Sequence, residues 1–386
     1  MKICMLVEQW FPQVGGVENH VRFLTKGLTK AGHEVHIIVR NLKLKGMLPQ
    51  EIEKEFMENV TITRLGPAST FENDVGRAFY TALSSLKVIK DGSFDIFHAH
   101  SFTATIPALL AKHILKIPTI LTIHTTHSGK WYSITRQILK SRIYNAIEKR
   151  TLFNNKFDRV ITVNKSLIET AVKMGVSRDK LVYIPNAIEL EEFDSYKFEP
   201  SASDKEKTVL FVGRLTPVKG LYTLLRAISL VLNESTNYQV LIVGEGPLKE
   251  DLAKFIFKNN LQKHVYLVGV QTGRDLIKLY KTSNVVVLSS YHEGCPVSIL
   301  EAWAAGLPIV ATNVGGTKEI VEHRKNGLLV PPGDPKALAK GLIKILTDEE
   351  LARLLGANGR ILVEKEYNWK IMVNKILAVY QDSLRA

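Results

Sequence analysis

Short apolar runs rich in β-branched residues alternate with amphipathic runs along the whole chain. In the first half, such runs predict six strands, at residues 2–7, 34–39, 95–98, 119–123, 159–163 and 181–184. A helix is predicted after the first of them and ends at Ala31-Gly32, where glycine allows the chain to turn. Strands that alternate with helices are typical of a parallel sheet covered on both faces, so the sequence predicts an α/β fold.

The second half of the chain repeats this plan. Strand patterns begin at Val209, Gln239, Val265, Val285 and Ile309, and a further segment follows each. The run 191–207 is polar and contains proline and serine, which is typical of a hinge. A chain of 386 residues also exceeds the usual size of a single core. We therefore predict a domain at residues 1–190, a hinge at 191–207, a second domain at 208–368 and a last helix within 369–386.

Two carboxylates flank a predicted helix start in the second half. The run 284–290 is typical of a strand buried on both faces, Pro296 suits the first helical position, and the helical pattern ends at Gly306. Glu293 then lies in the loop, and Glu301 lies about one and a half turns into the helix. A helix N-terminus attracts anions and carboxylates accept hydrogen bonds from hydroxyls, so the segment suits a nucleotide sugar. The alternative is a pair of solvated carboxylates.

Two cations lie in a second loop of the same kind. The run 209–212 predicts a strand, and the turn 213–220 after it has a glycine at each end and contains Arg214 and Lys219. Glycine lets the backbone approach a ligand, arginine binds phosphate as a fork, and lysine binds it as a point charge. The glycine-containing loop 244–247 follows the next strand, and ligands collect at the carboxyl ends of such strands. The pattern therefore favours a diphosphate site over a solvated basic turn.

The chain resembles the retaining glycosyltransferases of family 4 in several segments and in their order. The segments are 213–215, 219–220, 244–246, 293–301 and 314–316 with Glu319. The N-terminal segment 11–20 is similar to the branch that contains the enzymes making N-acetylglucosaminyl phosphatidylinositol and the bacterial phosphatidylinositol mannosyltransferases. The resemblance implies the GT-B fold, in which two Rossmann-like parallel-sheet domains face a central cleft. It further implies that the first domain binds the acceptor, the second binds the nucleotide sugar, and the last helix crosses back to the first.

The resemblance also implies the residues of the site, with no metal and no cofactor. For catalysis these are His124, Arg214, Lys219 and Glu293. For donor binding they are Gly15, Gly16, Gly213, Arg214, Lys219, Gly244, Glu245, Glu293, Gly294, Cys295, Pro296, Val297 and Glu301. On the acceptor side they are His100, Asn19 and Arg136.

Individual roles follow from the same resemblance. Arg214 and Lys219 stabilise the diphosphate leaving group, and this electrostatic contribution is expected to be the largest one. His124 faces the donor sugar, Glu293 contacts it, and Glu301 binds the ribose hydroxyls. The acceptor attacks from the front face while the departing phosphate oxygen takes its proton. Cys295 stands where an aromatic residue is common, and Thr125 stands where an acidic residue is common, and both departures bear on which sugar is transferred.

The net charge of +13 is concentrated in the first half. Residues 1–190 contain 26 basic and 16 acidic residues, the remainder contains 25 and 22, and residues 130–180 contain 12 and 4. In that last segment the apolar residues Trp131, Tyr132, Ile134, Ile138, Tyr144 and Ile147 recur among Arg136, Lys140, Arg142, Lys149 and Arg150. Such a basic amphipathic helix can lie on an anionic membrane, and the alternative is a surface helix whose apolar stripe faces its own core. No nucleic-acid reader motif accompanies the charge, so no nucleic-acid partner is expected.

The cysteine and histidine positions indicate neither a disulfide framework nor a metal site. Cys4 and Cys295 are the only cysteines, so the sequence indicates no disulfide framework. The sequence also has no run of eighteen apolar residues. We therefore expect a cytoplasmic protein, which would be peripheral on the inner face of the membrane if it binds lipid. His98, His100, His124 and His127 follow two strand ends, but no metal-site spacing accompanies them.

Other function classes remain as alternatives. The sequence lacks the Gly-x-Gly-x-x-Gly of a dinucleotide site and the phosphate-binding P-loop. Three alternatives stay open: a GT-B enzyme with a soluble acceptor, such as a sucrose-, trehalose- or glycogen-synthase-like enzyme; an epimerase or phosphorylase; and a non-catalytic basic protein that binds membranes.

Overall fold

The computed structural model describes residues 1–8, 16–42, 59–69, 74–90, 93–100, 103–125, 138–153, 155–196, 206–234 and 237–385. The chain divides into two compact units, Met1–Pro185 with Trp369–Ala386, and Asn186–Asn368. Every strand pair in both units is parallel, so the predicted α/β class with two parallel sheets is confirmed. Most of the predicted hinge, residues 197–205, lies outside the described residues.

The first unit contains a seven-stranded sheet of order β3-β2-β1-β4-β5-β6-β7. Its strands are β1 Lys2–Val7, β2 Glu34–Leu42, β3 Val60–Ser69, β4 Ile96–His100, β5 Thr119–Ile123, β6 Arg159–Thr162 and β7 Leu181–Tyr183. The sequence predicts six of these within a few residues and misses β3. This strand lies at the edge of the sheet, and its alternating threonines do not form the continuous apolar run of a buried strand.

Helices connect these strands. They are α1 Gly16–Lys30, α2 Asp74–Lys90, α3 Thr105–Leu115, α4 Ile138–Leu152 and α5 Lys165–Lys173, with one turn of 3₁₀ helix at Arg178–Lys180. The last helix of the chain, Trp369–Arg385, also belongs to this unit. It packs against α1, where the ring of Trp369 meets His20 with 5.1 Å between centroids. Its Tyr380 hydroxyl also lies 2.7 Å from Nδ1 of His98 on β4.

The second unit contains a six-stranded sheet of order β10-β9-β8-β11-β12-β13. Its strands are β8 Lys207–Val212, β9 Tyr238–Val243, β10 Val265–Gly269, β11 Val285–Leu288, β12 Ile309–Thr312 and β13 Leu328–Val330. Its helices are α6 Leu190–Asp194, α7 Leu221–Glu234, α8 Lys249–Lys258, α9 Gly273–Thr282, α10 Val297–Ala304, α11 Thr317–Ile320, α12 Pro335–Thr347 and α13 Glu349–Glu366. The final helix, Trp369–Arg385, is α14. The sequence analysis misses β13.

Central strands of both sheets are buried on both faces. All described residues of β4, β5, β11 and β12 are buried, as expected for parallel strands that lie between two layers of helices. Polar side chains therefore reach a ligand from the loops and helix starts that follow the strand ends. Among the described residues, no helix has both the length and the apolar composition that a membrane crossing needs.

Candidate active site

Glu293 is buried in the loop that follows β11 and forms an ion pair there. Its Oε1 accepts a hydrogen bond from Lys219 Nζ at 2.6 Å and another from Ser290 Oγ at 2.5 Å. Lys219 ends a turn of 3₁₀ helix, Pro217–Lys219, that follows β8. Because β8 and β11 are neighbours in a parallel sheet, their carboxyl ends bring these two residues together across 74 positions of sequence. The sequence predicted both residues in the site but not their contact.

Hydrogen bonds to backbone carbonyls hold these two loops together. Ser289 Oγ donates to the Lys219 carbonyl at 2.8 Å, and Tyr291 N–H donates to the Val218 carbonyl at 2.8 Å. Gly220 has a φ of +62°, and a Cβ there would lie 2.0 Å from the Ser289 carbonyl oxygen. Only glycine allows this approach. Lys219 is therefore positioned by a rigid turn.

The loop after β12 closes the same site from the other side. Gly316 N–H donates to the Glu293 carbonyl at 3.0 Å. Gly315 has a φ of +44°, and a Cβ there would lie 2.2 Å from that same carbonyl oxygen. Thr312 Oγ1 donates to the Ser290 carbonyl at 2.6 Å. Three strand-end loops thus fix the position of Glu293, and the glycine at 315 is explained by the closeness of the backbones.

Helix α10 begins one residue later than predicted. Pro296 has a ψ of 110° and occupies the N-cap position, so Val297 is the first helical residue. The prediction of Pro296 at the first helical position is therefore wrong by one residue. The φ of proline suits both positions, and the extended ψ lets the chain leave the loop. The N-terminus of α10 still follows the Glu293 loop directly, as the sequence indicated.

Glu301 lies buried on α10 and accepts a hydrogen bond that the sequence did not predict. Tyr280, a completely buried residue on α9, donates its hydroxyl to Glu301 Oε2 at 2.6 Å. Burial raises the pKa of Glu301, while the bond from Tyr280 works against that rise. Burial also raises the pKa of Tyr280 well above its ordinary value, so the phenol keeps its proton and remains a donor. No short-range sequence signal links the two, since they lie on separate helices.

Cys295 lies in the loop between the two glutamates, with its thiol buried. Burial raises the pKa of this thiol to about 12, so it is neutral near pH 7 and is a poor nucleophile. The backbone carbonyl of Cys295 accepts a hydrogen bond at 2.9 Å from Asn186 Nδ2. Asn186 is buried at the start of the second unit and is another residue that the sequence analysis missed. Its position 109 residues away left no local signal.

The remaining predicted donor residues surround this centre. Gly213 and the exposed Arg214 follow β8, and Gly244 and Glu245 follow β9. Leu215 N–H donates to the Glu245 carbonyl at 2.8 Å, which joins the two loops. The carboxylate of Glu245 pairs with Lys249 at 2.5 Å on the surface. The structure therefore brings the predicted residues of the second unit to one edge of its sheet.

Four histidines converge in the first unit at the ends of β4 and β5. His98 and His100 belong to β4, His124 follows β5, and His20 comes from α1. The rings of His98 and His100 have centroids 4.0 Å apart, and His100 Nδ1 lies 3.3 Å from His124 Nε2. Burial lowers the pKa of His98, His100 and His124 well below 6.5, and the neighbouring imidazoles lower it further. All three are neutral near pH 7.

The candidate residues of the first unit are only partly described. His100 is completely buried and does not reach solvent. It contacts His124, which is half-buried. Gly16 begins α1 and Asn19 lies half-buried on it. Gly15, Arg136 and His127 lie outside the described residues.

A buried ion pair lies near the same sheet edge and was not predicted. Arg40 Nη1 of β2 lies 3.5 Å from Glu8 Oε1, just after β1. Thr103 Oγ1, after β4, donates to Glu8 Oε2 at 2.9 Å. Both charged side chains are buried. The sequence did contain a signal for this pair, because each charged residue lies at the end of an apolar run.

Helix α4 exposes apolar side chains beside basic ones. Ile138, Leu139 and Ile143 are 63%, 73% and 49% exposed, and Arg142 between them is exposed too. The helix buries Ser141, Glu148, Thr151 and Leu152 instead. Ile138 and Ile143 therefore do not face the core of the protein, as the alternative for this helix required. Tyr144 and Ile147 are half-buried. A concavity of about 640 Å³ near the end of α4 is lined by Ala146, Lys149, Arg150, Phe153, Lys156 and Met174.

Comparison with known families and relatives covers nearly the whole chain. The model described as Glycosyltransferase Family 4 matches residues 14–192, and the model described as Glycosyl transferases group 1 matches residues 192–362. An uncharacterized glycosyltransferase of Methanocaldococcus jannaschii is 31% identical over 400 residues, which span 100% of this chain and 99% of that protein.

Two further relatives have named activities. The UDP-Gal:alpha-D-GlcNAc-diphosphoundecaprenol alpha-1,3-galactosyltransferase of Escherichia coli is 29% identical over 87% of this chain and 91% of its own. The glycogen synthase of Mycobacterium tuberculosis is 26% identical over 100% of this chain and 95% of its own.

Solved structures show the same fold. A sucrose-phosphate synthase from Thermosynechococcus elongatus superposes with a TM-score of 0.81 at 24% identity, covering 99% of each chain. The Anabaena protein HepE, solved with UDP and glucose, superposes with a TM-score of 0.77 at 19% identity, covering 99% of this chain and 100% of its own. The predicted GT-B fold class, with two Rossmann-like parallel-sheet domains, is confirmed.

Proposed function

The chain belongs to the glycosyltransferases, and we propose that it moves a sugar from a nucleoside diphosphate sugar to an acceptor hydroxyl with retention of configuration at the anomeric carbon. The membership rests on the full-length match to the Methanocaldococcus relative and on the two family models, so the chain is an enzyme of the transferase type. The choice of donor is supported by the site in the second unit and by the UDP and UDP-sugars named for relatives.

The observation that carries the proposal is the Lys219–Glu293 pair beside the N-terminus of α10. Lys219 Nζ is held within 2.6 Å of Glu293 by a rigid turn, and its side chain is only 20% exposed. A cation shielded from water stabilises a departing diphosphate more strongly than a solvated one does. Arg214 lies exposed on the same turn, where it can bind a second phosphate oxygen as a fork. Leaving-group stabilisation is therefore assigned to Arg214 and Lys219.

Recognition of the nucleoside is assigned to Glu301. Tyr280 occupies Oε2 of this carboxylate and fixes its orientation, so Oε1 can accept a hydrogen bond from a ribose hydroxyl. A rigid acceptor loses little entropy when it binds. Tyr280 thus acts as a positioning residue for the donor site.

Retention is proposed to proceed by attack on the same face from which the diphosphate leaves. The bond between the anomeric carbon and the phosphate oxygen breaks, the acceptor oxygen forms the new bond, and the departing phosphate oxygen takes the acceptor proton. The Cys295 thiol is neutral and so is not assigned as a covalent nucleophile. Contact with the sugar is assigned to Glu293. In the first unit, His124 is a neutral imidazole that can donate or accept one hydrogen bond.

The acceptor is proposed to be a hydroxyl on a lipid or lipid-linked glycan at an anionic membrane surface. Support comes from α4, where exposed Ile138, Leu139 and Ile143 stand beside Arg142, and from the basic concavity that includes Lys149. Apolar side chains enter the boundary region of a bilayer while basic ones meet anionic headgroups. The Escherichia coli relative is named for a diphosphoundecaprenol acceptor.

A soluble acceptor is the second candidate. It is favoured by the glycogen synthase of Mycobacterium tuberculosis, which matches the chain over its full length. Vesicle binding separates the two candidates, because a glycogen-type acceptor requires no contact with lipid.

A donor screen followed by a matched pair of lysine variants tests the proposal. Nucleotide sugars are first ranked by thermal stabilisation of the chain, and the anomeric configuration of the product made from the best donor is read by NMR. Lys219→Ala should then lower turnover by about 10²- to 10³-fold, the usual loss when one charge-stabilising donor is removed. The control, Lys258→Ala, removes an exposed lysine at the far end of α8 and should leave turnover unchanged. Equal turnover in both variants, or inversion of the product, would refute the assignment.

A further inference from the structure

Glu293 places a negative charge directly beside the cation that is assigned to the diphosphate. Its Oε1 lies 2.6 Å from Lys219 Nζ, and the two side chains are only 9% and 20% exposed. Ser290 Oγ donates to the same oxygen. The carboxylate and the ammonium group therefore neutralise each other strongly at a place that is shielded from water. A site that only bound phosphates would gain nothing from this carboxylate, because its charge opposes theirs.

The carboxylate cannot move away when a diphosphate arrives. The Glu293 backbone is held by the Gly316 N–H and by the close approach of Gly315. A phosphate oxygen that hydrogen-bonds to Lys219 Nζ at about 2.8 Å lies within about 5.5 Å of Glu293 Oε1. If Lys219 instead turns towards the phosphate, it leaves a buried carboxylate without its cation. Either arrangement weakens the binding of a diphosphate.

The donor and the product of the proposed reaction meet this charge differently. In the donor, the sugar esterifies the terminal phosphate, whereas in the product that oxygen is free and ionises with a pKa of about 6. Cations alone would bind the extra charge of the product more tightly than the donor. Beside Glu293 the extra charge is repelled, and the sugar hydroxyls that donate to the carboxylate in the donor are gone.

Resting on the proposed function, we propose that Glu293 discriminates against the free nucleoside diphosphate and in favour of the sugar-bearing donor, so that the product is bound weakly and leaves. A charge at a distance of about 4–6 Å typically changes an equilibrium between charged states 10-fold or more. Glu293 thus determines specificity between substrate and product, beyond its contact with the sugar.

Calorimetry on the full chain tests this discrimination. The diphosphates of uridine, cytidine, thymidine, adenosine and guanosine are titrated first, and the tightest binder is then compared with its monophosphate. The variant Glu293→Gln removes the charge but keeps the shape and an oxygen that accepts the same hydrogen bonds. The control, Glu322→Gln, removes an exposed carboxylate that also pairs with a lysine, Lys325, in the same unit. Lys219→Ala reports whether the diphosphate occupies the proposed site.

We expect Glu293→Gln to bind the diphosphate about 10-fold more tightly than the parent does. The monophosphate lacks the terminal phosphate, so its affinity should change by less than about twofold, and Glu322→Gln should bind as the parent does. Turnover of Glu293→Gln falls, because the same residue is assigned to the sugar. A structural role alone would weaken both nucleotides and would not separate them.

A second measurement uses the parent chain and so does not depend on the folding of a variant. The methyl ester of the terminal phosphate has the reduced charge of the donor but no sugar hydroxyls. The parent should bind this ester more tightly than the free diphosphate, whereas a site of cations alone would show the reverse order.

The outcomes separate this inference from the proposed function. Weaker binding of the ester than of the free diphosphate, or parent-like diphosphate affinity in Glu293→Gln while Lys219→Ala binds less tightly, would overturn the inference and leave the proposed function standing. No binding of any diphosphate by the parent, or unchanged affinity in Lys219→Ala, would refute the proposed function and the inference with it.

Discussion

The hydrogen bond between Tyr280 and Glu301 offers a direct test of how the donor site is held. Replacing Tyr280 with phenylalanine removes one hydroxyl that donates to Glu301 Oε2 at 2.6 Å and changes nothing else in the shape of the side chain. Tyr280 is completely buried and Glu301 nearly so, and both belong to the second unit. The carboxylate therefore loses a partner at a place where water cannot readily replace it.

The size of the effect follows from the charge of the acceptor. A hydrogen bond to a charged group contributes about 1.5–3 kcal/mol, about twice the value for a neutral pair. We therefore expect Tyr280→Phe to lower the free energy of unfolding by about 2 kcal/mol at pH 7. The affinity for the free nucleoside diphosphate should fall as well, because Glu301 is no longer held in one orientation.

The pH dependence distinguishes this bond from a simple loss of packing. The bond favours the charged form of Glu301, so it opposes the rise that burial causes in the pKa of this carboxyl. Its contribution is fully present when Glu301 is ionised and is lost as the pH falls through the pKa of the folded state, above the ordinary value of 4.5. Parent and variant should therefore differ most in stability near pH 7–8 and converge in acid.

Urea unfolding at several pH values measures this difference, with Tyr266→Phe as the control. Tyr266 is an exposed tyrosine of the same unit whose hydroxyl donates to a backbone carbonyl, that of Lys263, at 2.8 Å. Combining Tyr280→Phe with Glu301→Gln in a double-mutant cycle isolates the coupling between the two side chains. A stability loss that is the same at every pH, or no larger than that of the control, would show that the hydroxyl does not support the Glu301 carboxylate.

Three further predictions address other parts of the site. Glu301→Ala should weaken the affinity for the free nucleoside diphosphate by about 1–3 kcal/mol in calorimetry, because a ribose hydroxyl loses its acceptor, and an unchanged affinity would count against that role. Gly315→Ala should lower the melting temperature more than Gly306→Ala, since both have positive φ but only the first would place a Cβ 2.2 Å from a carbonyl oxygen; equal losses would contradict this reason. The chain should pellet with anionic vesicles and not with neutral ones, and Arg142→Glu with Arg150→Glu should abolish pelleting, since each basic residue contributes about 1 kcal/mol near the surface. Recovery in the supernatant with both vesicle types would favour the soluble acceptor.

Local sequence patterns predicted the framework of this protein. Apolar runs marked most of the strands because a strand buried on both faces needs a continuous run of such residues, and the loop with Glu293 was placed between β11 and α10 by the same argument. The spacing of Glu293 and Glu301 on the two sides of a helix start is also a local property. The sequence analysis missed the strands β3 and β13, and the alternating threonines of β3 explain its omission because they do not form a continuous apolar run.

The tertiary structure decided which distant residues meet. Tyr280 reaches Glu301, Asn186 reaches the Cys295 carbonyl, and His20 reaches His124 because parallel strands connected by helices bring remote loops to one sheet edge. No period or motif in the sequence encodes such a contact, since it depends on strand order and helix packing together. The sequence alone therefore determined the strand-and-loop framework and predicted the candidate site residues. Only the fold determined the neighbours that orient them, because orientation depends on contacts between segments that are far apart along the chain.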